Sequence, residues 1–251
     1  MQDPASSYLC TLSLLIAFSI TGQAVAGQTV AGQAVAGQAV AGQAEDSRAD
    51  GEPGFVSIFN GKDLNGWRGE VDNYTVQEGA IVCQPGKGGV LYYQEEYADF
   101  VVRLKFRLPP GGNNGLAIRY PGTGRASTQA MCELQVLDDS AEKYKNLDGR
   151  QYHGAIYGMV APKRGHLLPV GEWNEQEVTV IGSTIRVVLN GVEIINADVS
   201  KVTQFKDDTE HPGKNRTSGF FGFAGHNDPV QFRNVRIKRL PSSTRVREAC
   251  Q

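Results

Sequence analysis

The sequence predicts an all-β domain built as a two-sheet antiparallel sandwich. Three observations predict it. Short apolar, β-branched runs recur from about Gly54 to Leu240, about a dozen in all. Asn-Gly pairs, which supply the left-handed backbone of tight turns, lie among them at Asn60, Asn65, Asn114 and Asn190. No stretch of ten or more residues carries a helical apolar period. Many strands without intervening helices favour a sandwich over a βαβ fold, with a closed barrel left open.

Ahead of the domain, Leu9 to Ile20 form an uncharged apolar run, too short to span a bilayer and suited to the core of a secretory signal. Residues 1–26 are therefore expected to be an export signal, although the leading MQDPASSY segment lacks the usual Lys or Arg. A GQAVA-type repeat follows and passes into an acidic tail near Pro53, so residues 27–53 read as a spacer with little to bury. The folded domain is placed at 54–240 and a short tail at 241–251. The expected location is periplasmic or extracellular, with no membrane segment after cleavage.

Within the domain, strands are expected at Val56–Phe59, Tyr74–Gln77, Ala80–Cys83, Val90–Tyr93, Phe100–Leu108, Leu116–Tyr120 and Met131–Leu137. More are expected at Ala155–Met159, Glu177–Ile181, Ile185–Leu189, Val192–Ile195, Phe220–Ala224 and Val230–Lys238. Asn190-Gly191 has the spacing of a tight hairpin. The chain of 251 residues carries 25 Lys and Arg against 27 Asp and Glu, a net charge of -2, which gives no general reason to expect nucleic-acid binding.

Alternation assigns faces. In FVVRLKFRL, Val102, Leu104 and Phe106 oppose Arg103, Lys105 and Arg107. In GLAIRY, Leu116, Ile118 and Tyr120 oppose Ala117 and Arg119. In MCELQVLD, Cys132, Leu134 and Val136 oppose Glu133 and Gln135. If the three strands are neighbours, one polar face collects Arg103, Lys105, Arg119, Glu133 and Gln135. Such a face is either a solvated surface or a groove suited to hydroxyl-rich ligands. Asp138 and Asp139 end the Glu133 strand, His153 and Tyr157 sit in a glycine-rich bend, and His226 lies in the turn before the last strand. Gln135 stands where a glycosidase would need a second carboxylate. Trp67 and Trp173 are expected to be core or edge plugs. No HExxH, CxxC, P-loop or GxSxG motif occurs. Cys83 and Cys132 could be bridged in an oxidising compartment or be buried thiols.

The segments VSIFNGKDLNGW, NNGLAIRY, ELQVLDD, YHGAIYG, GEWNEQEVTVIGSTIRVVLNG and VQFRNVRIKRL follow one another in order. Together they resemble the 3-keto-disaccharide hydrolase domain family, also known as domain of unknown function 1080, over about residues 54 to 240. The resemblance implies a concanavalin A-like jelly roll acting on glycosides oxidised at C3. It implies Glu133 as base or metal ligand, and His226 as acid/base or ligand. Arg119 and Lys105 would hold the enolate or sugar oxygens. Gln135, Asp138, His153 and Tyr157 are the expected substrate contacts. A divalent metal on Glu133 and His226 is left open. The family's usual Gln-x-His-Gly turn is Ala224-Gly225-His226-Asn227 here. The alternative reading is a non-catalytic carbohydrate-binding module, since the same architecture hosts lectins.

Overall fold

The computed structural model describes residues 53–241. The expected signal and most of the expected spacer and tail lie outside the described residues. Thirteen strands form in chain order: β1 (Val56–Ser57), β2 (Trp67–Gly69), β3 (Tyr74–Gln77), β4 (Ala80–Cys83), β5 (Gly88–Tyr97), β6 (Phe100–Arg107) and β7 (Asn113–Tyr120), then β8 (Cys132–Leu137), β9 (Trp173–Ile181), β10 (Thr184–Leu189), β11 (Val192–Asp198), β12 (Gly219–His226) and β13 (Gln231–Arg239). One four-residue helix, α1 (Ala126–Gln129), precedes β8. No helix among the described residues is long and apolar enough to cross a membrane.

The strands make two antiparallel sheets. The larger runs β11-β10-β9-β6-β13-β4-β3, with β1 also paired to β13. The smaller runs β2-β5-β12-β7-β8. The inward faces meet in a core of aliphatic and aromatic side chains. Phe223 of β12 stacks on Trp67 of β2 at 5.3 Å and on Phe232 of β13 at 4.0 Å, so it ties the two sheets together. Each such burial contributes roughly 1.5–3 kcal/mol.

The Asn190-Gly191 hairpin forms as expected, with both residues at positive φ (49° and 84°) between β10 and β11. Asn114-Gly115 does not turn. It lies inside β7, opposite Val136 and Gln135 of β8. The segment expected as a strand at 155–159 is a loop whose backbone runs beside β8 (Gln135 N donates to Ala155 O at 3.0 Å, Tyr157 N to Glu133 O at 2.9 Å). Cys83 and Cys132 are both buried free thiols.

Candidate active site

The outer face of the smaller sheet holds the site. Strand partners share a face, so the register places Tyr92, Gly222, Ala117 and Glu133 in one row and Val90, Ala224, Gly115 and Gln135 in the next. Glycine and alanine fill the middle, so the sheet carries a shallow floor there. The loop beside β8 adds Tyr157 level with Glu133. Helix α1 supplies Ala126, which packs with Ala117, Tyr120 and Ala224. What remains is a cleft of about 320 Å³ lined by Val90, Arg125, Ser127, Glu133, Ala224 and His226 with neighbouring glycines.

His226 Nε2 lies 3.0 Å from Glu133 Oε1. The Glu133 side chain is 5% exposed and that of His226 45%, so the carboxylate lies behind and the imidazole faces the opening. The Glu133 hydrogen bond holds the His226 pKa above its ordinary value, against the opposing effect of burial. An ionised carboxylate accepts only, so in the neutral ring Nε2 carries the proton and Nδ1 carries the lone pair.

Two glycines make this pair possible. A Cβ on Gly115 would sit 2.1 Å from Glu133 Oε1, because the glutamate lies across β7 toward β12. A Cβ on Gly225 would meet the Tyr74 hydroxyl at 2.6 Å and Cys83 Sγ at 2.7 Å, which press β12 from the core side. Asn227 has φ 72°, left-handed backbone that asparagine tolerates better than most residues. Ala224 is small and leaves the cleft floor open.

Several expected site residues lie elsewhere. Arg119 is on β7, next to the Glu133 strand, but points into the sandwich. It has φ 50°, and the β12 register slips between Phe220 and Gly222 opposite it. This bulge reverses the expected alternation. Arg119 is 1% exposed, pairs with Asp99 at 3.0 Å and donates to the carbonyls of Ala98, Gly182 and Arg216 at 2.7–2.8 Å. It is a strut between sheets and loops. Lys105 lies in the other sheet because β6 pairs with β9 and β13, and it bonds Glu175 at 3.0 Å on that sheet's outer face.

His153 is also withdrawn from the cleft. Its ring stacks on Phe106 at 5.0 Å, and its Nδ1 accepts from Leu137 N at 3.3 Å. Burial drives its pKa down to about 3. Asp138 closes a loop by accepting from Gly111 N at 2.7 Å and Ser140 N at 3.0 Å, and it lines a separate hollow of about 630 Å³ with Arg164 and Leu168. Gln135 shares the Glu133 face, but its amide donates to Asn113 Oδ1 at 2.7 Å. Tyr157 shares the face too, and its hydroxyl accepts from Gln151 at 3.1 Å.

Sequence reasoning missed Arg125 and Ser127, because nothing in PGTGRASTQA shows that this loop folds back over β7 and β8. It also missed the aromatic edge formed by Tyr92 against Phe220 at 4.8 Å and Tyr120 at 5.5 Å. Strands are expected at all three rings, but alternation puts Tyr120 on the apolar face with Leu116 and Ile118, whereas the irregularity at Arg119 turns it to the side of Ala117 and Ala224.

The site's donor set does not fit a metal held by protein alone. Glu133 and His226 bond each other, and no group of three or more His, Cys, Asp or Glu suited to a metal occurs among the described residues.

Comparison with known proteins agrees with this fold. The model of the 3-keto-alpha-glucoside-1,2-lyase-like domain matches residues 54–238. The chain belongs to that family. It is 25% identical over 228 residues to the 3-keto-disaccharide hydrolase of Bacteroides thetaiotaomicron, covering 74% of this chain and 79% of that protein. A Parabacteroides distasonis crystal structure labelled a candidate glycosyl hydrolase is 26% identical, with TM-score 0.66, over 74% of this chain and 99% of that one. A second from the same organism, under the same label, is 25% identical, with TM-score 0.62, over 78% and 98%. The jelly-roll sandwich and a glycoside-hydrolase type of function accord with these relatives.

Proposed function

We propose that the domain cleaves the glycosidic bond of 3-keto-glycosides at the Glu133–His226 cleft, by elimination followed by hydration. The observation that carries this reading is the exposed imidazole backed by a buried carboxylate over a floor of small residues. A binding module needs no such pair.

A C3 ketone acidifies the C2 hydrogen. His226 Nδ1 takes that proton, and the C2–H electrons form a C2=C3 enolate with negative charge on the C3 oxygen. Arg125, at the cleft wall, is the cation placed to stabilise it. The carbonyl then reforms, C1=C2 forms, and the C1–oxygen bond breaks. The imidazolium gives its proton to the departing oxygen. Addition of water across C1=C2 puts hydroxyl on C1 and hydrogen on C2, completing hydrolysis. Glu133 acts through His226, fixing the ring and stabilising its charged form. Tyr92, Phe220 and Tyr157 offer faces or edges to the sugar ring. No step runs through a metal.

Incubation with 3-keto-glycosides, with and without chelator, tests the reading by product NMR. Release of aglycone that persists with chelator and is lost in His226→Ala is expected. No turnover of any 3-keto-glycoside by the intact domain would favour the binding module. We also place the domain outside the cytoplasm, on the strength of the Leu9–Ile20 run, which cell fractionation would check.

A further inference from the structure

A hollow of about 630 Å³, a usual size for a small-molecule site, lies apart from the cleft and shares no lining residue with it. It opens at the end of the sandwich where β6 and β8 finish and β9 begins. Part of its lining is aliphatic. Leu168, Pro169 and Val170 follow one another on a loop, and all three are exposed. That loop is pinned: Leu168 N donates to Asn174 Oδ1 at 2.9 Å, Gly171 N to Leu108 O at 3.0 Å, and Asn190 Nδ2 to His166 O at 2.8 Å. The backbone therefore holds an apolar patch at the opening, and such patches mark places where something binds. The rest of the lining is polar and equally fixed. The Arg164 guanidinium lies over the ring of Tyr152 at 3.3 Å, and Tyr152 itself is buried. Asp139 Oδ1 accepts from His153 N at 2.8 Å, whereas Oδ2 meets Arg164 Nε only at 3.5 Å, longer than a normal hydrogen bond. Burial holds the Asp139 pKa above its ordinary value, against the lowering effects of the His153 N–H and Arg164. This carboxylate is short of donors.

We propose that this hollow is a second, non-catalytic carbohydrate site that takes a neutral pyranose unit. A pyranose has an apolar face of C–H groups and an edge of hydroxyls, and the hollow offers a counterpart to each. Leu168, Pro169 and Val170 cover the C–H face. Adjacent hydroxyls donate to Asp139 Oδ2 and accept from the Arg164 guanidinium. Held by its stack on Tyr152, the guanidinium fork loses little freedom when it binds. Charge selects against an anionic ligand, because Asp138 and Asp139 line the hollow beside the guanidinium. Asp138 needs no ligand, since Gly111 N and the Ser140 N–H and hydroxyl already donate to it. An apolar peptide or acyl chain would cover Asp139 and Arg164 without giving them partners, which is costly. Neither Glu133 nor His226 takes part, so the site does not depend on the chemistry of the cleft.

The test is an NMR titration of the intact protein, methyl-labelled at Leu and Val, with cellotriose, isomaltotriose and mannotriose. A trimer of galacturonate and a leucine-rich octapeptide serve as anionic and apolar competitors. The Leu168 and Val170 methyl signals should shift saturably with at least one neutral trisaccharide, and less with either competitor. Arg164→Ala should weaken that binding about tenfold, the loss of a charge-assisted hydrogen bond. Leu168→Ala, read at the Val170 methyls, should weaken it several-fold. It changes only an exposed side chain, so it keeps the test valid should Arg164→Ala fail to fold. Ile181→Ala, an equal loss of exposed aliphatic surface on β9, should leave binding unchanged. No shift at these methyls with any of the three trisaccharides, equal losses in Leu168→Ala and Ile181→Ala, or tighter binding of either competitor would overturn the proposal. The methyl signals read the hollow and turnover of a 3-keto-glycoside reads the cleft, so failure of this site and failure of the catalytic reading are separable.

Discussion

Two buried charged residues on neighbouring strands have opposite fates. Arg119 on β7 and Glu133 on β8 are both nearly inaccessible, at 1% and 4%. Arg119 points inward, with the Asp99 carboxylate and three backbone carbonyls around it. Glu133 points outward, with its bond going to a half-open imidazole at a cleft. One bulge separates the two outcomes. Charge and burial alone do not mark a catalytic residue; what the partner faces does.

The largest expected effect is on stability. Arg119→Met leaves Asp99 buried without its guanidinium, and removing one partner of a buried pair costs about 3–5 kcal/mol. Urea unfolding should show that loss, whereas Glu133→Gln should unfold near the parent midpoint. Equal losses in the two variants would erase the distinction between strut and site.

Next in size is chemistry. His226→Ala should lower turnover of a 3-keto-glycoside by about 10²–10⁴-fold, the usual range for a general acid–base group, with an unchanged melting curve. A variant retaining most of its activity would remove the imidazole from the reaction. Gly115→Ala should cost on the order of 10²-fold, because its methyl displaces the Glu133 carboxylate. Parent activity in Gly115→Ala would show that the carboxylate position is unimportant.

A finer test is the pH profile. His226 acts as base only when neutral, and Glu133 raises its pKa. The acid limb of the rate should therefore lie above the ordinary histidine value near 6.5. In Glu133→Gln the limb should move to lower pH while the maximum rate falls. A limb that stays in place would mean that another group titrates. The smallest effect is expected for Lys105→Ala, which lies on the far sheet and should change turnover less than twofold.

Much of the sandwich was legible because its signals are local. Alternation in FVVRLKFRL and MCELQVLD found the inward faces, and Asn190-Gly191 found its hairpin. The site was half legible. Glu133 and His226 were named, and the structure brings them together. Lys105 was misplaced because alternation gives the face within a strand and not the sheet to which the strand belongs. Arg119 was misplaced because a bulge is set by the pairing of β7 with β12, which no local pattern records. Asn114-Gly115 looked like a turn, whereas its glycine makes room for a glutamate on the next strand. Arg125 was invisible because its position depends on how a loop folds over a sheet.

The most direct measurement is NMR of the reducing sugar formed when a 3-keto-glycoside is turned over in D₂O. Proton abstraction at C2 by His226 followed by hydration predicts deuterium at C2 of that sugar. Full retention of protium at C2 would mean direct displacement at C1 and would contradict the elimination route.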